Sequence, residues 1–354
     1  MRRTLRFLRV NTRLRMHDFS ARPIVVTGAA GLIGSALIWA LNRRGVEDII
    51  AVDRLDESEK WRHLVPLRYL DYVDADDFAD AIGDHPDIFG NVGTVFHLGA
   101  CSATTERDAD YLMRNNYEYT KALAHWAVER DTRFVYASSA ATYGALEDDL
   151  SDEMDLRTLR PLNMYAYSKQ LFDLYAQRSG MSEQIVGLKY FNVFGPNEDH
   201  KADMRSVVCK ALEQIRAGGS VKLFKSYRPE FRDGEQRRDF IYVKDAVEMT
   251  MAVAQSATGG LVNIGSGQAQ TWLDLVRPIF AALGLPERIE FIEMPELLRP
   301  KYQYSTQARI ERLRATGYVA PITPLGDAVK DYVLNYLEPG RVLDPAQAEA
   351  LTIR

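Results

Sequence analysis

The run Pro23-Ile-Val-Val-Thr-Gly28-Ala-Ala-Gly31-Leu-Ile-Gly34 opens with three β-branched residues and then sets glycines at 28, 31 and 34. A short apolar, β-branched run of this kind reads as a strand buried on both faces. Beyond Gly34 the apolar positions Leu37, Ile38 and Leu41, up to Arg44, have helical spacing. Strand, glycine turn and helix in that order offer backbone N–H groups and a helix N-terminus to a pyrophosphate. Gly28 suits the tight turn, Gly31 a close approach of backbone to phosphate, and Gly34 close packing of helix on strand. The spacing is GxxGxxG, not the GxGxxG of most dinucleotide dehydrogenases. Alone such a loop is equally a plain strand–helix turn; the flanking strand and helix favour a dinucleotide.

After the first helix, Asp48-Ile-Ile-Ala-Val-Asp53 reads as the second parallel strand, ending on an acid at the distance where a carboxylate binds an adenosine ribose. Arg54 and Lys60 follow. Two cations there suit the 2′-phosphate of NADP over NAD, against the plain alternative of a charged loop shared with Asp56, Glu57 and Glu59. Further strands fall at 91–100, 133–137 and 185–191, with helices over 111–129 and 165–178. This alternation implies an α/β fold, a doubly wound, Rossmann-type parallel sheet with helices on both faces. Past Asn192 the rhythm changes. A helix over 206–217, a short strand at 221–224 and an arginine-rich stretch precede a strand at 239–243 expected to rejoin the sheet. Helices are read at 244–254, 272–283, 306–315 and 324–336, and a strand at 261–264. The division expected is a dinucleotide-binding domain over 23–190, with segments at about 239–268 and 305–336 returning to it. A smaller α/β substrate domain over 191–238 and 269–304 lies at the C-terminal edge of the sheet, with an arm over 1–22 and a tail over 338–354.

Composition narrows the class. The chain has 354 residues, 46% hydrophobic and 26% charged, enough for one large domain and a smaller companion. No apolar run approaches the ~20 residues that span a bilayer. The two cysteines, Cys101 and Cys209, lie outside any CxxC spacing, which points to a reducing, cytoplasmic setting. The six histidines lack HExxH-type spacing, so no metal is expected. The net charge of −5 is uneven: residues 1–22 hold seven arginines against one acid, a net +6 that leaves −11 elsewhere. That balance does not favour nucleic acid as the main partner. The basic arm lacks the apolar core of a secretory signal, and reads as a disordered extension or as sequence upstream of a start nearer Met16.

The strongest local constellation is Tyr165-Ala-Tyr-Ser-Lys169, with Ser138-Ser139 at an earlier strand end. Residues four apart share a helix face. A phenol with a pKa near ~10 is a poor base at neutral pH, and an ammonium beside it lowers that pKa. Ser139 can bond both the phenol and a substrate hydroxyl. Tyr165 could then remove a hydroxyl proton as hydride leaves the same carbon.

With these residues in view the chain resembles the extended short-chain dehydrogenase/reductases, and more closely the ADP-L-glycero-D-manno-heptose 6-epimerase family. The resemblance rests on Phe96-His-Leu-Gly-Ala-Cys-Ser102, Thr104-Thr105-Glu106, Asn115-Asn116-Tyr117 and Ala137-Ser-Ser-Ala-Ala-Thr-Tyr-Gly144. It continues through Pro161-Leu-Asn-Met-Tyr165, Tyr190-Phe-Asn-Val-Phe-Gly-Pro196, His200-Lys201, Arg238-Asp-Phe-Ile-Tyr-Val243, and Lys301-Tyr-Gln with Thr306-Gln-Ala. It covers nearly everything from Pro23 to about Tyr336. It implies a redox-neutral epimerase of lipopolysaccharide inner-core synthesis that holds NADP tightly, oxidises C6 of the heptose and returns hydride to the opposite face. Tyr165 matches one acid/base group and Lys201 the other, and Lys169 the group that holds the nicotinamide ribose.

The resemblance further implies cofactor contacts at Leu32, Ile33, Asp53, Arg54, Lys60, Leu98, Gly99, Ala100, Cys101, Ser102, Asn115, Val193 and Lys201. Substrate contacts are implied at Ser139, Asn192, Asp203, Lys210, Phe224, Lys225, Ser226, Tyr227, Arg238 and Tyr302. Arg238 suits a diphosphate, with a salt bridge to Asp239 or another acid as the plain alternative. Ala202-Asp203 stands where the family can carry Gly-Ser, which sets an acid near the diphosphate, and 227–236 is longer than in the shortest members. The family forms homo-oligomers. Other readings are a 4-epimerase, a non-catalytic NADP sensor, and a 4,6-dehydratase, for which Ala140-Ala141-Thr142-Tyr143 lacks the usual acids.

Overall fold

The computed structural model describes residues 17–147, 149–296, 298–299 and 302–347. Twelve strands run along the chain: β1 (Ile24–Thr27), β2 (Ile49–Asp53), β3 (Asp71–Asp74), β4 (Thr94–His97), β5 (Arg133–Ser139), β6 (Val186–Tyr190), β7 (Asn192–Phe194), β8 (Val221–Phe224), β9 (Arg237–Tyr242), β10 (Gly260–Ile264), β11 (Ala269–Thr271) and β12 (Ile289–Ile292). The α-helices are α1 (Leu32–Asn42), α2 (Ala75–Asp84), α3 (Ala109–Leu112), α4 (Tyr119–Glu129), α5 (Met164–Arg178), α6 (Val207–Gly218), α7 (Val243–Gln255), α8 (Trp272–Leu283), α9 (Glu311–Ala315) and α10 (Leu325–Tyr332).

Seven strands form one sheet in the order β10-β6-β5-β4-β1-β2-β3, with every neighbouring pair parallel. Strand order reverses between β1 and β4, where doubly wound sheets open a crevice at the C-terminal strand ends. Alternation along β1 explains why Ile24, Val25 and Val26 are all apolar. Ile24 and Val26 join one core cluster, with α1, α7 and α8, while Val25 joins another with Phe78, Trp126 and Phe172. Both faces are covered, as the β-branched run requires.

Two small sheets lie beyond Tyr190. One pairs β9 antiparallel with β11 and parallel with β7; the other pairs β8 with β12. Here the structure corrects the sequence reading. The strand expected at 239–243 does not rejoin the large sheet but centres the three-stranded one; only β10 returns, beside β6. The helix expected over 306–315 is confined to Glu311–Ala315, because Ala308 is spent on an isolated bridge to Leu150. Strands β3 and β12 and helix α2 were not anticipated; the edge strand β3 is an Asp-Tyr-Val-Asp segment with an exposed first residue, too polar to read as a strand.

The ends also differ from expectation. Residues 17–22 are packed, not a disordered arm: Phe19 is buried edge-on against Phe96 with centroids 5.7 Å apart, and the His17 N–H donates to the Gln255 carbonyl. In the tail, Leu343 is fully buried and its N–H donates to Asn197 Oδ1 at 3.1 Å. The arm over 1–16 and the tail from 348 lie outside the described residues. No helix among the described residues is long and apolar enough to cross a membrane.

Candidate active site

The glycine loop is built at distances only glycine permits. Gly28 has φ +69°, and a Cβ on it would stand 2.6 Å from the Gly99 nitrogen. A Cβ on Gly34 would stand 2.0 Å from the Gly28 carbonyl oxygen. Gly31 caps α1 without a side-chain bond, and the first turn holds no acid. Orphan N–H groups and the positive end of the helix therefore face the loop, as an anion requires. The loop is pinned to β2, since Ala30 N–H donates to Asp53 Oδ2 at 2.8 Å. Leu32, buried, and Ile33, half-buried, start the helix. This cradle fits a dinucleotide pyrophosphate.

Beside it, Asp53 also accepts from the Arg54 N–H at 2.8 Å and the Lys60 ammonium at 2.9 Å. Arg54 pairs with Asp76 and donates to Asn115 Oδ1 at 2.6 Å. The two cations expected to read a 2′-phosphate thus lie next to the acid expected at the ribose, each paired with a carboxylate. Asn115 sits in a π turn, Met113–Glu118, that joins α3 to α4. Its neighbour Asn116 is buried; it accepts from Cys101 N–H at 2.9 Å and donates to the Cys101 carbonyl and to Ser168 Oγ. Asn116 therefore fastens the turn holding Leu98, Gly99, Ala100, Cys101 and Ser102 to α5.

Under that turn lies a closed relay. Thr120 Oγ1 donates to the Asn116 carbonyl, so it accepts from His97 Nε2 at 2.8 Å. His97 Nδ1 then accepts from Thr27 Oγ1 at 2.7 Å, and Thr27 Oγ1 accepts from Gly99 N–H at 3.1 Å. One tautomer satisfies every partner. Burial, with Lys169 nearby, pushes His97 down to about 3, which keeps the ring neutral.

Ser139 ends β5 and caps the short turn Ala140–Tyr143, accepting from Ala141 N–H at 3.1 Å. Tyr165 stands at the start of α5, whose cap is Asn163. Burial raises the Tyr165 phenol, a hydrogen bond from Ser139 draws it back down, and Cys101 adds a further upward push. Lys169 is buried one turn on, and desolvation pushes its ammonium down to about 8, opposed by Asp173 and Cys101. Here the sequence reading needs correction: the phenol sits above its ordinary value in this chain, and Ser139, not Lys169, lowers it. Behind them Asp173 accepts from Tyr136 at 2.9 Å and Ser138 at 2.7 Å and faces Lys189 at 3.3 Å.

Lys201 lies in a 3-10 turn, Asp199–Met204. Burial lowers its pKa and Glu198 raises it. Glu198 is 1% exposed and accepts from Ser206 N–H at 2.7 Å and Ser206 Oγ at 2.6 Å. The turn meets the glycine loop through His63, buried between the Ala30 carbonyl and Asp199. His63, Asp199 and His200 also form a cluster of three possible metal ligands, which sequence spacing did not reveal because His63 is 136 residues from Asp199.

A further group gathers on the small sheets. The Arg238 guanidinium packs over Tyr302 at 5.1 Å and Trp272 at 5.8 Å, and Phe224 stands edge-on to Tyr302 at 6.4 Å. Trp272 Nε1 donates to the Tyr302 hydroxyl at 2.9 Å. The salt bridge weighed for Arg238 with Asp239 is replaced by another arrangement. Adjacent strand residues face opposite sides, and the Asp239 carboxylate accepts from the N–H groups of Ser266, Gly267 and Ala308. Lys225 and Tyr227 are both engaged by Glu293, and Ser226 donates to the Arg228 carbonyl at 2.9 Å. Lys210 donates to the Asp203 carbonyl oxygen, leaving the exposed Asp203 carboxylate apart from that bond. Asn192 and Val193 lie on β7, the first exposed and the second half-buried.

The fold and this arrangement define a dinucleotide-dependent enzyme class, and comparison with known proteins agrees. The NAD dependent epimerase/dehydratase family matches residues 24–265. The ADP-L-glycero-D-manno-heptose-6-epimerase of Nitratidesulfovibrio vulgaris strain DP4 is 52% identical over 315 residues, covering 88% of this chain and 97% of that protein. The protein of the same name from Fusobacterium nucleatum is 45% identical over 328 residues, covering 89% and 98%. Among solved structures, the Helicobacter pylori ADP-L-glycero-D-manno-heptose-6-epimerase matches with a TM-score of 0.75 at 26% identity, covering 89% of this chain and 96% of that one. The chain belongs to the NAD dependent epimerase/dehydratase family, on the branch of the ADP-L-glycero-D-manno-heptose-6-epimerases.

Proposed function

We propose that this chain converts ADP-D-glycero-D-manno-heptose to its L-glycero epimer at C6, for the lipopolysaccharide inner core, with NADP as its resident cofactor. The observation that carries the reading is Tyr165 at the start of α5 with Lys169 buried one turn on and Ser139 at the neighbouring end of β5, in a chain 52% identical to a relative of that name. When bound, NADP supplies the acceptor and donor of hydride. Tyr165 would take the proton of the C6 hydroxyl as its phenolate, the form that the positive charge of an oxidised nicotinamide beside it favours against the burial that raises the phenol, and Ser139 would orient both groups. Lys169 holds the nicotinamide ribose. Lys201 serves the opposite face, delivering a proton to the C6 oxygen when hydride returns there and taking it back in the reverse direction. Arg238, backed by Tyr302 and Trp272, takes the diphosphate. Gly28, Gly31, Gly34, Asp53 and the turn from Leu98 to Ser102 hold the dinucleotide, and Arg54 and Lys60 exchange their carboxylate partners for the 2′-phosphate. The large sheet thus carries the cofactor and the small sheets the sugar nucleotide, in a cytoplasmic homo-oligomer.

The test is to mix purified protein with ADP-D-glycero-D-manno-heptose, adding no cofactor, and to follow the C6 proton by NMR. Conversion to the L-glycero epimer supports the reading. A folded protein that leaves the substrate unchanged, even with NADP and NAD supplied, overturns it and turns attention to other nucleotide sugars.

A further inference from the structure

His63 and the Asp199–Met204 turn hold groups that the proposed reaction does not use. The His63 side chain is fully buried, and its Nδ1 lies 2.7 Å from the Ala30 carbonyl oxygen. A carbonyl oxygen only accepts, so Nδ1 carries the hydrogen. Neutral His63 then aims the lone pair of Nε2 at Asp199 Oδ1, 2.6 Å away. Two acceptors in contact require a positive centre: a proton at this separation, or a metal ion once the two part slightly. The His200 ring stands edge-on to His63 with centroids 5.2 Å apart, and its Nδ1 is buried without a hydrogen-bond partner. One ligand atom from each of the three lies within 4.8 Å of the others.

We propose that His63 Nε2, the Asp199 carboxylate and His200 form a divalent-cation site of the class that takes Zn2+, between the glycine loop and the turn bearing Lys201. Two imidazoles and a carboxylate are a common zinc ligand set, with the fourth position open. The bond from His63 Nδ1–H to a backbone carbonyl is the outer-shell contact that fixes the orientation of a metal-binding histidine. Zn–N and Zn–O bonds of about 2.0–2.1 Å place ligand atoms roughly 3.3 Å apart, so His63 Nε2 and Asp199 Oδ1, now at 2.6 Å, part slightly on binding while the widest pair of the three closes in. The Asp199 side chain, 60% exposed, is free to follow. Burial pushes His200 down to about 4, and a neutral ring is what a metal requires. Lys60 and Lys201 oppose a cation here, and Asp199 answers them.

The full chain, treated with EDTA and dialysed, is titrated with ZnCl2 by calorimetry. One Zn2+ per chain at micromolar affinity or tighter is expected. Asp199→Ala, at an exposed position, and His200→Gln should each weaken binding by at least about tenfold, and His63→Gln likewise. Co2+ should give the visible bands of a tetrahedral N/O site, lost in the same variants while circular dichroism shows them folded. Absence of saturable Zn2+ binding, or binding unchanged in all three folded variants, overturns the proposal. The positive centre is then the proton of an imidazolium His63 paired with Asp199.

Discussion

Two lysines, Lys169 and Lys201, carry opposite kinds of positioning. Lys169 lies mid-helix on α5, buried, one turn from Tyr165 and one from Asp173. Its place follows from four-residue spacing on a rigid element. Lys201 sits on a 3-10 turn held by anchors outside it: Glu198 reaches Ser206 and Cys209 on the α6 side, 8 and 11 residues on, and Asp199 reaches His63, 136 residues away. Burial lowers both ammonium groups, but Asp173 backs one and Glu198 the other. The proposed chemistry works on two faces of a carbon, with a group on each side or with one group and a sugar that turns; the contrast between helix and turn favours the first.

The largest effect should come from the helix side. Tyr165→Phe removes the phenol that Ser139 bonds and should lower turnover by about 10³-fold, within the range of general acid–base groups. Bound cofactor, read by absorbance and by mass spectrometry after denaturation, should be retained. Full activity in Tyr165→Phe would remove the distinction between the two sides. Lys201→Gln should cost less, roughly 10²-fold, and should slow return to the opposite face more than exchange on the original one. An equal loss on both faces would mean that one group serves both, and that the sugar turns instead.

The same contrast shows what the sequence could reveal. The glycine loop, the Asp53 strand end and the Ser139–Tyr165–Lys169 set are encoded in short spacings on regular elements, so they were legible. The anchoring of Lys201 was not, because its partners His63, Ser206 and Cys209 are joined to it only by tertiary contacts. Asn116 and His97 were quoted among motifs without a role. They bridge β1, the Cys101 turn and α5 through five hydrogen-bonded side chains, Thr27, His97, Thr120, Asn116 and Ser168, which no single-segment pattern expresses. Strand β9 was misplaced for a related reason: an apolar run after a polar loop looks the same whether it joins a large sheet or a small one.

A third test reads the burial of Lys169 directly. Its pKa is pushed down to about 8 from an ordinary 10.5 by desolvation. Below about 8 folded and unfolded chains both hold the proton, so its contribution does not change with pH. Between about 8 and 10.5 the unfolded chain holds it while the folded chain has released it. The unfolded state then binds more protons, and stability rises with pH. Urea unfolding of cofactor-free protein should therefore show wild type gaining on Lys169→Met across that window, by on the order of 1–3 kcal/mol. A flat difference would mean a solvated ammonium, and Lys169 would lose its contrast with the turn.

The smallest effect belongs to Glu198. Its carboxylate is the group that holds the Lys201 pKa up against burial. Glu198→Gln removes that charge, so Lys201 should lose its proton at lower pH, and the limb of the pH–rate profile that reports it should move to the acid side by up to about one unit. The amide can also turn its NH2 group toward Ser206, whose N–H and hydroxyl now donate to the carboxylate. Two donors facing each other loosen the turn, which lowers the rate without moving a pKa. The two consequences separate cleanly, since the profile shifts along the pH axis only through charge. The shift should vanish when Lys201→Gln is combined with Glu198→Gln. If it persists in the double variant, the titrating group is not Lys201, and the second acid/base must be sought elsewhere on the crevice wall.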